Sequence, residues 1–508
     1  MKSLSLKASA LAVMLALGAQ AAYAEDAADW TLDGQAALAK AKQLHPNAKK
    51  AKNIILFVGD GMGVSTVTAA RIFEGQMKGI DGERNLLSFE KLPYVAMSKT
   101  YSTNQQTADS APTMTAMVTG VKTNDGVLSA DQSVENGDTD NALIQANRLT
   151  TILEMAEMKG LSTGVISTAR ITHATPAATY AHTSTRDWET KTATAPAAGV
   201  ADIAAQAVDN FGAGGVGDGM EVFLGGGRTK FLPNTANDPE DAGRKGERTD
   251  GRNIITEFQT KFDADFVWNK AQFDAFNAAG TKRLIGLFER SHMEFEHDRA
   301  ADTGKEPSLA EMTDKAIDVL QKNKKGFFLM VEAGRIDHAH HAGNAYRALS
   351  DTVALSDAVK KALEKVDLND TLVIVTADHS HTMTMAGYPA RGNPVLGKVV
   401  NPGETAFALA EDGKPYTTIS YANGKGYHVG APGEAVYSLP TAAGRVEDMT
   451  NVDTTNPDFH QEALVPAGSE THAAEDVQIF AGGPKAHLFH GVQEQSYIFH
   501  VMKDAFGF

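Results

Sequence analysis

The chain has 508 residues, 42% of them apolar and 22% charged, with a formal charge of −16. A chain this long buries a large core without covalent staples, and the lack of any cysteine excludes disulfides and thiol catalysis. The acidic balance, with no basic run interleaved with aromatics, argues against a nucleic-acid surface.

Residues 1–24 read as an export signal: Lys2 and Lys7, the apolar run "ALAVMLALG", then "AYA" ahead of Glu25. That run is short of the roughly 18–20 residues that cross a bilayer. The last residues, "FHVMKDAFGF", offer no hydrophobic tail. The expectation is an exported protein, periplasmic or secreted, with no membrane anchor and with its folded domain over 25–508.

Apolar runs punctuated by turns and amphipathic helices then recur along the chain: "NIILFVGD" (53–60), "STGVIST" (162–168), "EVFLGG" (221–226), "GFFLMVEA" (326–333), "TLVIVTAD" (371–378) and "VQIFAGG" (477–483). This pattern predicts an α/β fold, a large and mostly parallel central sheet with helices on both faces. Ser308 and Glu311 form a capping box for a helix carrying Leu309, Met312, Ala316, Val319 and Leu320 on one face, which Gly326 is expected to end. Residues 236–252 read as a charged surface loop. Residues 385–470, rich in Gly, Pro, Thr and Ala without helical period, read as an irregular accessory insertion.

Polar residues of one kind close three of these strands: Asp60, Glu332 followed by Asp337, and Asp378 with His379. Ligands of open parallel sheets bind off the carboxyl ends of the strands, so these residues are candidates to converge. Asp337 and His341 are four apart and share a face if a helix starts there, while His340 points elsewhere and His338 faces a neighbouring part of the pocket. Glycines beside Asp60 allow close approach of a metal or phosphate. Each fragment alone also reads as an ordinary turn or surface pair; the three together point to a metal site.

In "TADSAPTMTAMVTG" (107–120), Ser110 falls in the first turn of a helix, where backbone N–H groups favour an anion. The same letters also describe a plain helix start. No Ser-His-Asp triad is evident locally, but a metal can take the place of the base. Further on, "ARITHATPAATYAHTSTRDWE" (169–189) offers His173, Thr175 and Arg186, the last a planar fork for two oxyanion oxygens.

Six motifs, "VGDGMG", "TADSAPT", "HATPAATYAHTSTR", "VEAGRIDHAHHAGN", "TADHSHT" and "SETHAAEDVQIFAGGPKAHLFHGVQEQSY", together resemble the alkaline phosphatases over about residues 50–505. The resemblance implies two zinc ions and one magnesium per subunit and a phosphomonoesterase of broad specificity acting through a phosphoserine. It implies Asp337, His341 and His472 on the first zinc, and Asp60, Asp378 and His379 on the second. Asp60, Thr175 and Glu332 would hold magnesium. Ser110 would be the nucleophile and Arg186 the clamp on phosphate oxygens. The all-oxygen third set suits a harder ion than the nitrogen-rich pairs do. His173 and His338 stand where the enterobacterial pattern has Asp and Lys, as in the animal enzymes, which leaves zinc open at the third site and makes His338 a weaker positive charge near phosphate. The resemblance further implies a homodimer, with residues 385–470 at the position of the family's dimer-capping insertion.

Two other readings compete. A diesterase or sulfatase of the same superfamily is disfavoured because "DSAPTMT" lacks the sulfatase arginine and because Arg186 is present. A binding protein without turnover has no need of Ser110 beside the metals.

Overall fold

Alternate residues of the central strands face two cores. In β1 (Asn53–Gly59), Ile54, Leu56 and Val58 join one buried cluster and Ile55 and Phe57 the other. A strand apolar on both sides belongs in the middle of a sheet covered by helices on both faces. The computed structural model describes residues 25–197, 199–280, 282–429 and 448–508. The leader expected at 1–24, and 430–447 of the accessory region, lie outside the described residues.

The other strands are β2 (Tyr94–Lys99), β3 (Ser162–Arg170), β4 (Val222–Gly226), β5 (Ala264–Val267), β6 (Arg283–Leu287), β7 (Phe327–Ala333), β8 (Thr371–Ala377), β9 (Val477–Gly482) and β10 (Val492–Glu494). They form one ten-stranded sheet in the order β10-β2-β9-β8-β1-β7-β3-β4-β6-β5. Only β9 runs against its neighbours, β2 and β8. The strands expected from sequence are present; β2, β5, β6 and β10 are additional.

This order positions the site. β8, β1, β7 and β3 lie side by side, with Gly59 opposite Ala377, Val58 opposite Glu332 and Ser167 opposite Glu332. Asp60, Asp378 and Glu332 therefore emerge together at the carboxyl end of the sheet. A short antiparallel pair, His472–Ala473 with Ser380–His381, folds the chain after the accessory region back onto the same place.

Two sequence expectations need correction. The capped helix Leu309–Leu320 ends at Gln321, not at Gly326. Gly326 instead leads into β7 with φ +118, where a Cβ would stand 1.9 Å from the Lys52 carbonyl. Residues 236–252 do form irregular chain, but not a merely surface one. Asp238 and Arg248 are buried, Asp238 held by Arg228 and Arg248 by Asp202, because those buried guanidinium groups need carboxylate partners.

The accessory region contributes a separate sheet of Met383–Met385, Ile419–Gly424 and Ala463–Pro466. Among the described residues no helix is long and apolar enough to cross a membrane.

Candidate functional site

Helix Arg335–His341 follows directly from β7 and carries Asp337 and His341 on one face. His341 Nε2 lies 3.3 Å from Asp337 Oδ1, His472 Nε2 lies 3.3 Å from the same oxygen, and the two ring nitrogens are 3.2 Å apart. Ligand atoms about 2.0–2.1 Å from one tetrahedral ion stand roughly 3.3 Å from each other. The rings are also oriented for this. His341 Nδ1 is 2.6 Å from the Glu470 carbonyl and His472 Nδ1 is 3.0 Å from the Ala108 carbonyl. A carbonyl only accepts, so each ring places its proton on Nδ1 and turns a lone pair from Nε2 toward Asp337. Two lone pairs and a carboxylate oxygen meeting at one point fit a cation. Without an ion a proton substitutes: burial disfavours a charged His472, but Asp337 outweighs it and raises its pKa.

A second set is centred on His379 Nε2, 3.4 Å from Asp60 Oδ1 and 3.3 Å from Asp378 Oδ2. Ser110 Oγ lies 3.3 Å from that nitrogen and 3.5 Å from Asp60 Oδ1. Ser110 is the first residue of helix Ser110–Thr119, and its N–H donates to the capping Asp109 carboxylate at 2.7 Å. Gly61, next to Asp60, has φ +68 and donates its N–H to Asp378 Oδ1 at 3.0 Å. A Cβ there would stand 2.3 Å from the His381 ring.

Ligand atoms of Asp60, His173 and Glu332 form a third group, all within 4.8 Å of one another. Ser167 donates its hydroxyl to Glu332 Oε2. Thr175, two residues beyond His173, is fully buried.

Asp60 Oδ2, His173 Nδ1, Thr175 Oγ1, Glu332 Oε1 and Asp378 Oδ2 are all buried without a hydrogen-bond partner. Orphaned buried polar atoms are costly and rare, so their concentration in one place calls for cations. The charges agree. Burial, then Asp378 and Asp337, push Asp60 well up, and burial pushes Glu332 up to about 8. Asp337 is the exception: burial opposes its charge, but His341, His381 and His472 hold it well below the usual range. Carboxylates crowded in this way are relieved by bound metal.

Arg186 reaches the site between two partners, Nη1 at 2.6 Å from Asp109 Oδ1 and Nη2 at 2.9 Å from His173 Nε2. Burial works against a charged Asp109, yet Arg186, His472 and His379 keep it ionised to low pH. A cavity of about 620 Å³ opens here, lined by Asp109, Ser110, His173, Arg186, Asp337, His338, His341 and His472.

A model of the family described as alkaline phosphatase matches residues 51–508. The chain belongs to the alkaline phosphatase family. It is 42% identical over 484 residues to the chicken (Gallus gallus) tissue-nonspecific alkaline phosphatase, covering 93% of this chain and 88% of that one. It is 41% identical over 484 residues to the Atlantic cod (Gadus morhua) enzyme, with 93% and 95% covered. Among solved structures, alkaline phosphatase from Thermus thermophilus superposes with a TM-score of 0.63 at 23% identity, covering 91% of this chain and 92% of that one. The enzyme of the Antarctic bacterium TAB5 gives 0.59 at 22% identity, covering 91% and 99%. These superpositions establish the fold, including its large, mostly parallel sheet. As a member of this family the chain is a phosphomonoester hydrolase.

Several neighbours of the site escaped the sequence reading. His381 lies 2.8 Å from Asp337 Oδ1 and 2.5 Å from Glu470 Oε2. Burial opposes its charge, but Glu470 and Asp337 raise its pKa to about 10. The available signal was alternation: His379 and His381 are two apart on an extended segment, as are Glu470 and His472. His340, expected to point away from the site, is fully buried between Thr66 and Tyr421 and is structural. A further acidic group, Glu240, Glu289 and Asp302, also has ligand atoms within 4.8 Å of one another.

Proposed function

We propose that the enzyme hydrolyses phosphate monoesters broadly through a phosphoserine at Ser110, in a centre of two zinc ions and one magnesium. Asp337, His341 and His472 would hold one zinc and Asp60, Asp378 and His379 the other. Asp60, Thr175 and Glu332 would hold magnesium, with His173 beside them. The observation carrying this reading is the position of Ser110 Oγ, 3.3 Å from His379 Nε2 and 3.5 Å from Asp60 Oδ1, the two atoms at the heart of the second donor set.

Bound there, the metals would supply positive charge for the attacking and leaving oxygens of an in-line displacement. The rest falls to the chain. Ser110 Oγ forms the bond to phosphorus as the bond to the ester oxygen breaks, the serine proton passing to solvent and the ester oxygen leaving as the protonated alcohol. Water then cleaves the phosphoserine, restoring the Ser110 hydroxyl and freeing phosphate. The start of helix Ser110–Thr119 turns backbone N–H groups toward the phosphoryl group. Arg186, kept in place by Asp109 and His173, offers its fork to two phosphoryl oxygens. The groups assigned to catalysis all grip the phosphoryl end, which supports broad specificity for the alcohol. Magnesium at the third position is supported by the oxygens of Asp60, Thr175 and Glu332. The Antarctic enzyme holds magnesium in its M3 site in variants with Asp or Glu in place of a histidine, whereas His173 here keeps a ring nitrogen in the group, so zinc is the alternative ion at this position.

Ser110→Ala should keep its metals and its phosphate binding while losing orders of magnitude in rate on p-nitrophenyl phosphate. A variant still turning over at the normal rate would refute the nucleophile. The family placement also supports a homodimer capped by residues 385–470, and the leader supports export with a mature chain starting at Glu25. The native mass and first residue of the exported protein check both; a single-chain mass or a retained leader would count against them.

A further inference from the structure

Ser167 lies opposite Glu332 in the register of β3 and β7, is fully buried, and donates its hydroxyl to Glu332 Oε2. The direction of that bond is settled by the backbone. The Ala169 N–H, two residues on, donates to Ser167 Oγ at 2.7 Å, a local turn that serine side chains favour, so the single hydroxyl proton is left for the carboxylate. The register of β3 against β4 shifts between Ile166 and Arg170, an irregularity that spans this turn, as strand bulges beside binding sites do.

The other oxygen, Glu332 Oε1, is buried without a partner, and the chain keeps space beside it: a Cβ on Gly334 would stand 2.9 Å away. Thr175 Oγ1 and Asp60 Oδ2, on the other two residues assigned to the third ion, are likewise buried and unpartnered, whereas Asp60 Oδ1 faces His379 and Ser110. Each of the three residues thus has one oxygen to give. Three protein oxygens leave an octahedral ion room for water, which magnesium prefers, whereas calcium takes roughly six to eight oxygens and accepts both oxygens of one carboxylate.

We infer that Ser167 is a positioning residue for the third ion: by engaging Glu332 Oε2 it makes Glu332 a one-oxygen donor, and so selects magnesium against calcium. The inference rests on the placing of magnesium at Glu332 in the reading above. The selectivity then lies in a hydroxyl outside the donor set, held by the backbone of a strand bulge.

The test uses the zinc-loaded enzyme, dialysed at set concentrations of free magnesium or calcium and analysed for bound metal. Glu332→Gln gives the background bound elsewhere, including the group of Glu240, Glu289 and Asp302. Above that background the unaltered enzyme should bind magnesium and no calcium at equal concentration. Ser167→Ala should keep two zinc ions per chain, need about tenfold more magnesium to half-fill the third site, and take up calcium there. Ser167→Thr, which keeps a hydroxyl, should restore the preference. A Ser167→Ala enzyme that binds magnesium as tightly as before and still refuses calcium would overturn the inference. The crystal structure of the unaltered, magnesium-loaded enzyme decides even if Ser167→Ala fails to fold: Oε1 alone on the ion with Ser167 on Oε2 is expected, and both oxygens on the ion would refute it. Equal magnesium binding by Glu332→Gln and the unaltered enzyme would instead overturn the placing of magnesium at Glu332, and the inference with it.

Discussion

His340 Nε2 lies 3.0 Å from Thr66 Oγ1 and its Nδ1 lies 2.8 Å from the Tyr421 hydroxyl, in a ring closed off from solvent. Its neighbour His341 is partly exposed and turns Nε2 to Asp337. Adjacent residues on a helix point about a hundred degrees apart, so one belongs to the core and the other to the site. The sequence spacing points the two rings apart but gives no sign that His340 is buried. His340→Ala leaves a hydroxyl on each side without its partner and should cost about 3 kcal/mol, visible as a lowered Tm. His341→Ala should leave the Tm of the metal-free protein nearly unchanged and abolish most of the metal-dependent rate. Equal melting of the two variants without metal would contradict the division.

Among elements, the ones legible in sequence are those whose chemistry is local. β1, β7 and β8 are near-continuous apolar runs, because both of their faces are covered, and β3 is a buried run of small and β-branched residues. Helix Leu309–Leu320 is marked by its capping box. β2 has a mixed burial pattern and β5 is only four residues long, so their pairing comes from the sheet rather than from their own letters. The reach of His472 to Asp337 depends on the pairing of His472–Ala473 with Ser380–His381 across more than 80 intervening residues, which no local period reports. Alternation sets His381 beside His379 and Glu470 beside His472, but it does not report what the two residues touch. Each is identified by a contact across that pairing, His381 with Glu470 and with Asp337. Gly326 was misread because a glycine after a helix suggests a cap, whereas its positive φ here serves the close approach to the Lys52 carbonyl.

For the whole molecule, the topology explains how residues spread from Asp60 to His472 come to one cavity. Three adjacent parallel strands deliver Asp60, Glu332 and Asp378, two helices starting at the same sheet end deliver Ser110 and Asp337 with His341, and the chain returning from the accessory region delivers His472. An acidic protein thereby gathers four buried carboxylates, Asp60, Glu332, Asp337 and Asp378, around the place where an anionic phosphate must bind. That is workable only if cations outweigh them, so phosphate binding depends on metal occupancy. The most direct measurement is elemental analysis of the active enzyme after removal of loosely bound ions. Two zinc ions and one magnesium per chain are expected, with loss of activity on chelation that zinc with magnesium restores. A fully active enzyme without bound metal, or with a single ion per chain, would contradict it.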